Sequence, residues 1–224
     1  MSLTSAPFGR RPADAERRER ILQAAERAFV RNGFHAATMQ HVADEVGMSA
    51  GNLYRYFPSK EAIVEGLCEL DQAGRARALA AFAELLARKG DITEAMRAGL
   101  REHVVGKPPE KARLIVEIWA EAGRNPRVAA ITQAIDADVI NGLERLMDAA
   151  KAAGAASSKL DSRFGARFFL TFVNGVFKRI AIEAHFDVDA ETEMAVGVLK
   201  ALFAGALSPD SAEPREEAQR CDRP

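Results

Sequence analysis

Cysteine is nearly absent from this chain, and the two it has, Cys68 and Cys221, lie far apart in sequence. One falls in a helical pattern and the other in a polar tail, which excludes a disulfide framework and fits a reducing compartment. The four histidines, His35, His41, His103 and His185, have no metal-ligand spacing to one another or to cysteine, so no metal is expected. No apolar run approaches the roughly 18 residues that cross a bilayer. Residues 1–11 lack the apolar segment of a signal peptide. The expectation is a cytoplasmic protein without membrane contact. A Gly-rich phosphate loop, a nucleophile elbow and a convincing carboxylate pair are missing too, so neither an enzyme nor a cofactor is expected.

What is present points to a folded protein. Hydrophobic residues make up 48% and charged residues 28% of 224, enough for one compact unit with a small appended module. The net charge of −1 hides an asymmetry. Residues 1–60 carry nine Lys or Arg against six Asp or Glu, while the remainder holds four more acids than bases. A basic head on an acidic body suits a phosphate-binding module joined to a neutral domain.

No useful stretch alternates with period two, whereas 3.6-residue periodicity recurs throughout, with Gly and Pro at the breaks. The chain reads as all-α with nine helices. They run from about Asp14 to Asn32, Met39 to Val46, Ser49 to Tyr56, Ser59 to Arg88, Ile92 to Val105, and Glu110 to Ala122. A seventh follows Pro126 and ends near Ala153, an eighth spans Asp161 to His185, and a ninth runs from the cap Asp189 to Gly205. The implied division is an arm over 1–12, a head over 13–60, a larger helical domain over 61–207 and a polar, disordered tail over 208–224. The arginines between Arg10 and Arg20 suit a solvated tail better than a minor-groove arm.

The densest local punctuation lies between Thr38 and Glu61. Thr38, Ser49 and Ser59 each supply the hydroxyl that an N-cap needs. Gly47 permits the positive φ of a tight interhelical turn. Val42, Ala43 and Val46 face inward, and Leu53 and Phe57 continue that apolar face into the next helix. This is a helix-turn-helix pattern, whose second helix enters the major groove. About seven residues of helix are unstable alone in water, so Leu53 and Phe57 must prop the element from behind. Its free face carries Ala50, Gly51, Asn52, Tyr54, Arg55 and Tyr56. Small residues allow close approach to base edges, Asn52 can read donors and acceptors, and tyrosine hydroxyls reach phosphate oxygens.

The run Thr38-x-x-x-Val42-Ala43-x-x-Val46-Gly47-Met48-Ser49-x-Gly51-x-x-Tyr54-x-Tyr56-Phe57-x-Ser59-Lys60-Glu61 resembles the DNA-binding signature of TetR/AcrR-type regulators. The likeness reaches back to Phe29-x-x-x-Gly33-Phe34 and covers roughly residues 15–65. The resemblance implies that Thr38, Gln40, Ala50, Gly51, Asn52, Tyr54 and Tyr56 face DNA and that Lys60 clamps a phosphate. Ser49 would cap its helix and touch the backbone, with Arg55 at the margin. Tyr56 stands where the family often has His. The competing reading is a helical adaptor or ligand-binding protein whose helix-turn-helix meets a protein instead of a duplex.

The eighth helix is apolar nearly all round, so it needs cover from two sides. Paired across a two-fold axis with the ninth helix, it would build a four-helix dimer interface. Phe164, Phe168, Val176, Ile180, Val198, Leu199, Leu202 and Phe203 are the expected contacts, and TetR-like proteins dimerise in this way. A dimer bound to a pseudo-palindromic operator on the nucleoid follows. The family also implies a small-molecule effector pocket, for which Phe82, Met96, His103, Trp119, Met147, Phe169 and Phe172 are the candidates. Glu117 and Glu121 read as solvated surface that could also meet a cationic ligand. The helix from Ser59 to Arg88 is expected to carry the effector's signal to the head, releasing a repressor from its operator.

Overall fold

The computed structural model describes residues 12–87 and 92–207, so the tail over 208–224 and all but Pro12 of the expected arm lie outside the described residues. Nine α-helices and no strand are found among them: α1 Pro12–Asn32, α2 Met39–Val46, α3 Ala50–Tyr56, α4 Lys60–Ala87, α5 Ile92–Leu100, α6 Pro109–Ala122, α7 Pro126–Ala152, α8 Ser162–Ile182 and α9 Val188–Phe203. The all-α architecture matches the periodicity. The sequence suggests an unbroken helix to Val105. The structure instead ends α5 at Leu100 and continues as a π-helical turn, Arg101–Val105. The Gly106 N–H donates to the Arg101 carbonyl at 2.9 Å, an i→i+5 bond that apolar spacing over five residues does not distinguish from α-helix. The last helix starts earlier than Asp189, because Asp187 is the cap and its carboxylate accepts from the Asp189 and Ala190 N–H groups.

The chain packs as two units, and the division falls inside α4, α7 and α8. The first unit holds residues 1–76, 107–136 and 176–186. Its core joins Ile21, Leu22, Ala25, Ala28 and Phe29 of α1 to Val42 and Ala43 of α2, Leu53 of α3, Phe57, and Ile63 and Val64 of α4. Leu114 of α6 is buried in the same cluster. Phe29 meets Phe34 edge to face, with centroids 5.3 Å apart. Each such large side chain taken fully out of water contributes about 1.5–3 kcal/mol.

Among the described residues the second unit holds 77–87, 92–106, 137–175 and 187–207. Met96 and Leu100 of α5, Met147 and Ala150 of α7, Ala166 and Phe169 of α8 and Leu199, Leu202 and Phe203 of α9 are buried. The loop after α7 is tied to the end of α9 by the Ser157 N–H, which donates to the Phe203 carbonyl at 2.7 Å.

Candidate nucleic-acid interface

The turn between α2 and α3 is assembled from local signals. The Thr38 hydroxyl accepts from the His41 N–H at 3.2 Å, while His41 Nδ1 accepts from the Thr38 N–H at 3.3 Å. This is a capping box with an imidazole in the acceptor role usually filled by Glu or Gln. At the other end Gly47 has φ +73°. Its N–H donates to Asp44 and the Met48 N–H donates to Ala43, which together make a Schellman motif. Ser49 then caps α3 by accepting from the Asn52 N–H at 3.3 Å. Arg27 and Arg31 of α1 both hold the Glu45 carboxylate of α2, at 2.9 and 2.8 Å. The Arg27 bond, with help from Arg31, lowers the Glu45 pKa below its ordinary value.

Leu53 and Phe57 are wholly buried behind α3. On the opposite side Tyr54 is 50% exposed, and Arg55 and Gly51 are exposed as well. A side chain placed at Gly51 would meet no atom within 4 Å, so the start of α3 is open to close approach. Ala50 and Tyr56 differ from this pattern, since both are partly buried against the head core. Asn52 is half-buried. Gln40 is exposed but donates to Asp44 at 2.6 Å, so its amide is held along α2.

Lys60 turns toward the backbone. Its ammonium donates to the carbonyls of Phe34 (2.8 Å), His35 (3.2 Å) and Ala37 (3.1 Å). It also lies 4.6 Å from the Phe34 ring centroid. An ammonium has three donors, and all three are committed to backbone oxygens. Lys60 therefore braces the α1–α2 turn, a role that the sequence does not suggest.

The same turn is held from α6. The Glu117 carboxylate accepts from the Phe34 N–H. Arg124 donates to Glu121 at 2.7 Å and to His35 Nδ1 at 3.2 Å. Glu117 and Glu121, read from sequence as solvated surface, thus bond the turn and the residues around it. The signal was there: Leu114, Glu117, Ile118 and Glu121 recur on one face of α6, and Leu114 and Ile118 pack on the head core. Cys68 is half-buried, and burial pushes its thiol pKa up to about 11, so it carries no thiolate at neutral pH.

Residues 21–67 match the family model of bacterial regulatory proteins of the tetR family. Residues 92–204 match the C-terminal model of BetI-type transcriptional repressors. The chain belongs to the TetR family. This TetR-family chain is 32% identical over 193 residues to the HTH-type transcriptional regulator UidR of Escherichia coli strain K12, covering 85% of this chain and 93% of UidR. Salmonella enterica GusR superposes with a TM-score of 0.64 at 30% identity, over 87% of this chain and 97% of that one. Bacillus subtilis FadR, solved with stearoyl-CoA, has a TM-score of 0.66 over 84% of this chain and 98% of FadR. At 19% identity it shares the fold. The molecule is a helix-turn-helix transcriptional regulator, and no helix among its described residues is long and apolar enough to cross a membrane.

The expected effector residues of this TetR-family protein separate. Met147 is fully buried, and its sulfur would sit 2.9 Å from a side chain placed at Gly165. Trp119 is half-buried in the first unit, edge-on to Phe177 at 6.3 Å. Phe82 and His103 are half-buried in the second unit, where Phe169 stacks on Phe172 at 6.0 Å. Met96 lines a 420 Å³ opening with Ile92, Thr93, Ser157, Lys200 and Phe203.

The expected dimer contacts also divide. Val176, Ile180, Leu202 and Phe203 are at most 5% exposed in the single chain, so they belong to its own core and leave no face for a partner. Leu199 is buried to 9%, and Phe164 and Val198 are half-buried. Phe168 of α8 is 38% exposed, and Met194 of α9 is 42% exposed.

Proposed function

We propose that this protein is a repressor that binds a pseudo-palindromic operator as a homodimer and leaves it when a small molecule binds its larger domain. Residues 13–60 form the DNA-binding part and 61–207 the effector-binding and dimerisation part, working in the cytoplasm on the nucleoid. The observation that carries this reading is α3. Its buried Leu53 fixes it to the head, while Tyr54, Arg55 and Gly51 stand free on the other side. Gly51 and Ala50 allow the helix to enter a major groove, Asn52 reads base edges, and Tyr54 and Tyr56 donate to phosphates. Thr38, Gln40 and Ser49 lie at the backbone, where helix N-termini favour anions.

One helix of seven residues contacts too few bases to select a site in a genome, so two related by symmetry are required. Large apolar side chains left exposed on α8 and α9, Phe168 and Met194, support the pairing, with Phe164, Val198 and Leu199 beside them. The effector is proposed to be met by Phe82, Met96, His103, Phe169 and Phe172. Signal transfer is assigned to α4, which begins in the first unit and ends in the second. A ligand can shift the equilibrium only by its differential affinity for the two states.

Footprinting on the DNA flanking its own gene tests the proposal. The expected result is a protected inverted repeat with half-sites about one turn apart, roughly 34–36 Å. Protection of a single unrepeated half-site by a monomer would refute it.

A further inference from the structure

Two adjacent arginines in α1 meet the end of α3 in different ways. The Arg18 guanidinium lies 4.6 Å from the Phe57 ring centroid and 3.3 Å from Glu69, so its charge is both stacked and paired. Arg17 lies over the next ring outward, with its guanidinium carbon 5.9 Å from the Tyr56 centroid. Tyr56 is half-buried with its back to the head core, whereas Arg17 is exposed. Among the described residues no carboxylate lies within ion-pair distance of Arg17. Lys60, the cation expected at this edge, has its protons committed elsewhere.

We propose that Arg17, laid against the face of Tyr56, is the cation that grips a DNA phosphate beside α3. A guanidinium can stack on an aromatic ring through its flat face and keep the N–H groups on its rim for a phosphate. Such a contact is charge-assisted and can be bidentate. The ring at the last position of α3 limits the rotamers of a long side chain before any DNA arrives, so less entropy is lost on binding. The charge asymmetry of the sequence thereby acquires a specific residue. The proposal rests on α3 reading DNA and adds a contact that carries no base information, so it holds the helix in register without choosing the sequence.

The test is the salt dependence of binding to a fluorescently labelled, mixed-sequence duplex long enough for two half-sites, because a phosphate contact is independent of sequence. Each phosphate neutralised contributes about 0.9 to the slope of log affinity against log salt. Arg17→Ala and Arg17→Gln are expected to reduce the slope by about two for a bound dimer. Arg145→Ala, with the same charge change on an exposed stretch of α7, is expected to leave it unchanged. Tyr56→Phe loses a neutral donor and some affinity, but it keeps the ring and neutralises no fewer phosphates, so it should keep the slope, whereas Tyr56→Leu should move it toward that of Arg17→Ala. Arg17 variants that melt at the wild-type temperature yet retain the wild-type slope would overturn the proposal. An equal loss in Arg145→Ala, or a loss in Tyr56→Phe as large as in Tyr56→Leu, would overturn it too. A wild-type protein that binds no duplex would instead refute the underlying DNA-binding reading.

Discussion

The ammonium of Lys60 stands 4.6 Å from the Phe34 ring centroid and donates to the carbonyl of the same residue at 2.8 Å. One side chain at the start of α4 thus closes off three carbonyls of the turn that follows α1. Charged hydrogen bonds of this kind contribute about 1.5–3 kcal/mol, and removing the donor leaves the carbonyls without it. Lys60→Met should lower the urea midpoint by an amount corresponding to about 2 kcal/mol. It should leave the salt slope of DNA binding at the wild-type value, which a phosphate clamp would not.

Gly66 occupies the first turns of α4, against the back of the head. A β-carbon there would lie 2.9 Å from Leu22 Cδ2 and 3.1 Å from both Arg18 and the Phe57 ring. Overpacking of that degree costs about 1–3 kcal/mol. Gly66→Ala should lower stability by that amount in chemical denaturation. It should weaken operator binding as well, because Phe57 is one of the two props behind α3.

Glu117 is exposed, but its carboxylate accepts from the Phe34 N–H. Amide hydrogen exchange at Phe34 reads this bond directly. Glu117→Ala should accelerate exchange there, and Glu117→Gln, which retains an oxygen acceptor, should stay close to wild type. Equal rates in all three proteins would show that the bond is not maintained in solution.

Glu45 titrates below its ordinary 4.5 because Arg27, then Arg31, stabilise the carboxylate. A carboxyl with a depressed folded pKa binds fewer protons than in the unfolded chain, so its stabilisation is present above pH 4.5 and fades as pH falls through the folded pKa. Glu45→Gln should therefore flatten the melting temperature against pH below that point. Both arginines are exposed, and added salt should diminish the difference.

Residues 38–57 were legible because their instructions are local. Thr38 and Ser49 cap, Gly47 turns, and Leu53 and Phe57 point inward at helical spacing. The bracing role of Lys60 was not legible because its partners are main-chain oxygens at least 23 residues away, which no spacing rule reveals. In α8, apolar residues on every face showed that cover is needed without showing which face its own chain supplies. Val176 and Ile180 went inside, while Phe168 stayed out. The cap of α9 was displaced because Asp187 and Asp189 both qualify and only their geometry separates them.

Lys60 and Glu117 grasp the chain between α1 and α2 through its peptide atoms and the Phe34 ring, leaving the exposed side chain of Ala36 uninvolved in that grip. At Ala36 the path of the link is thereby insulated from its spelling: replacements there can accumulate without disturbing how the head is mounted. Drift at this position among descendants of the gene would record mutation pressure and not a change of regulatory target.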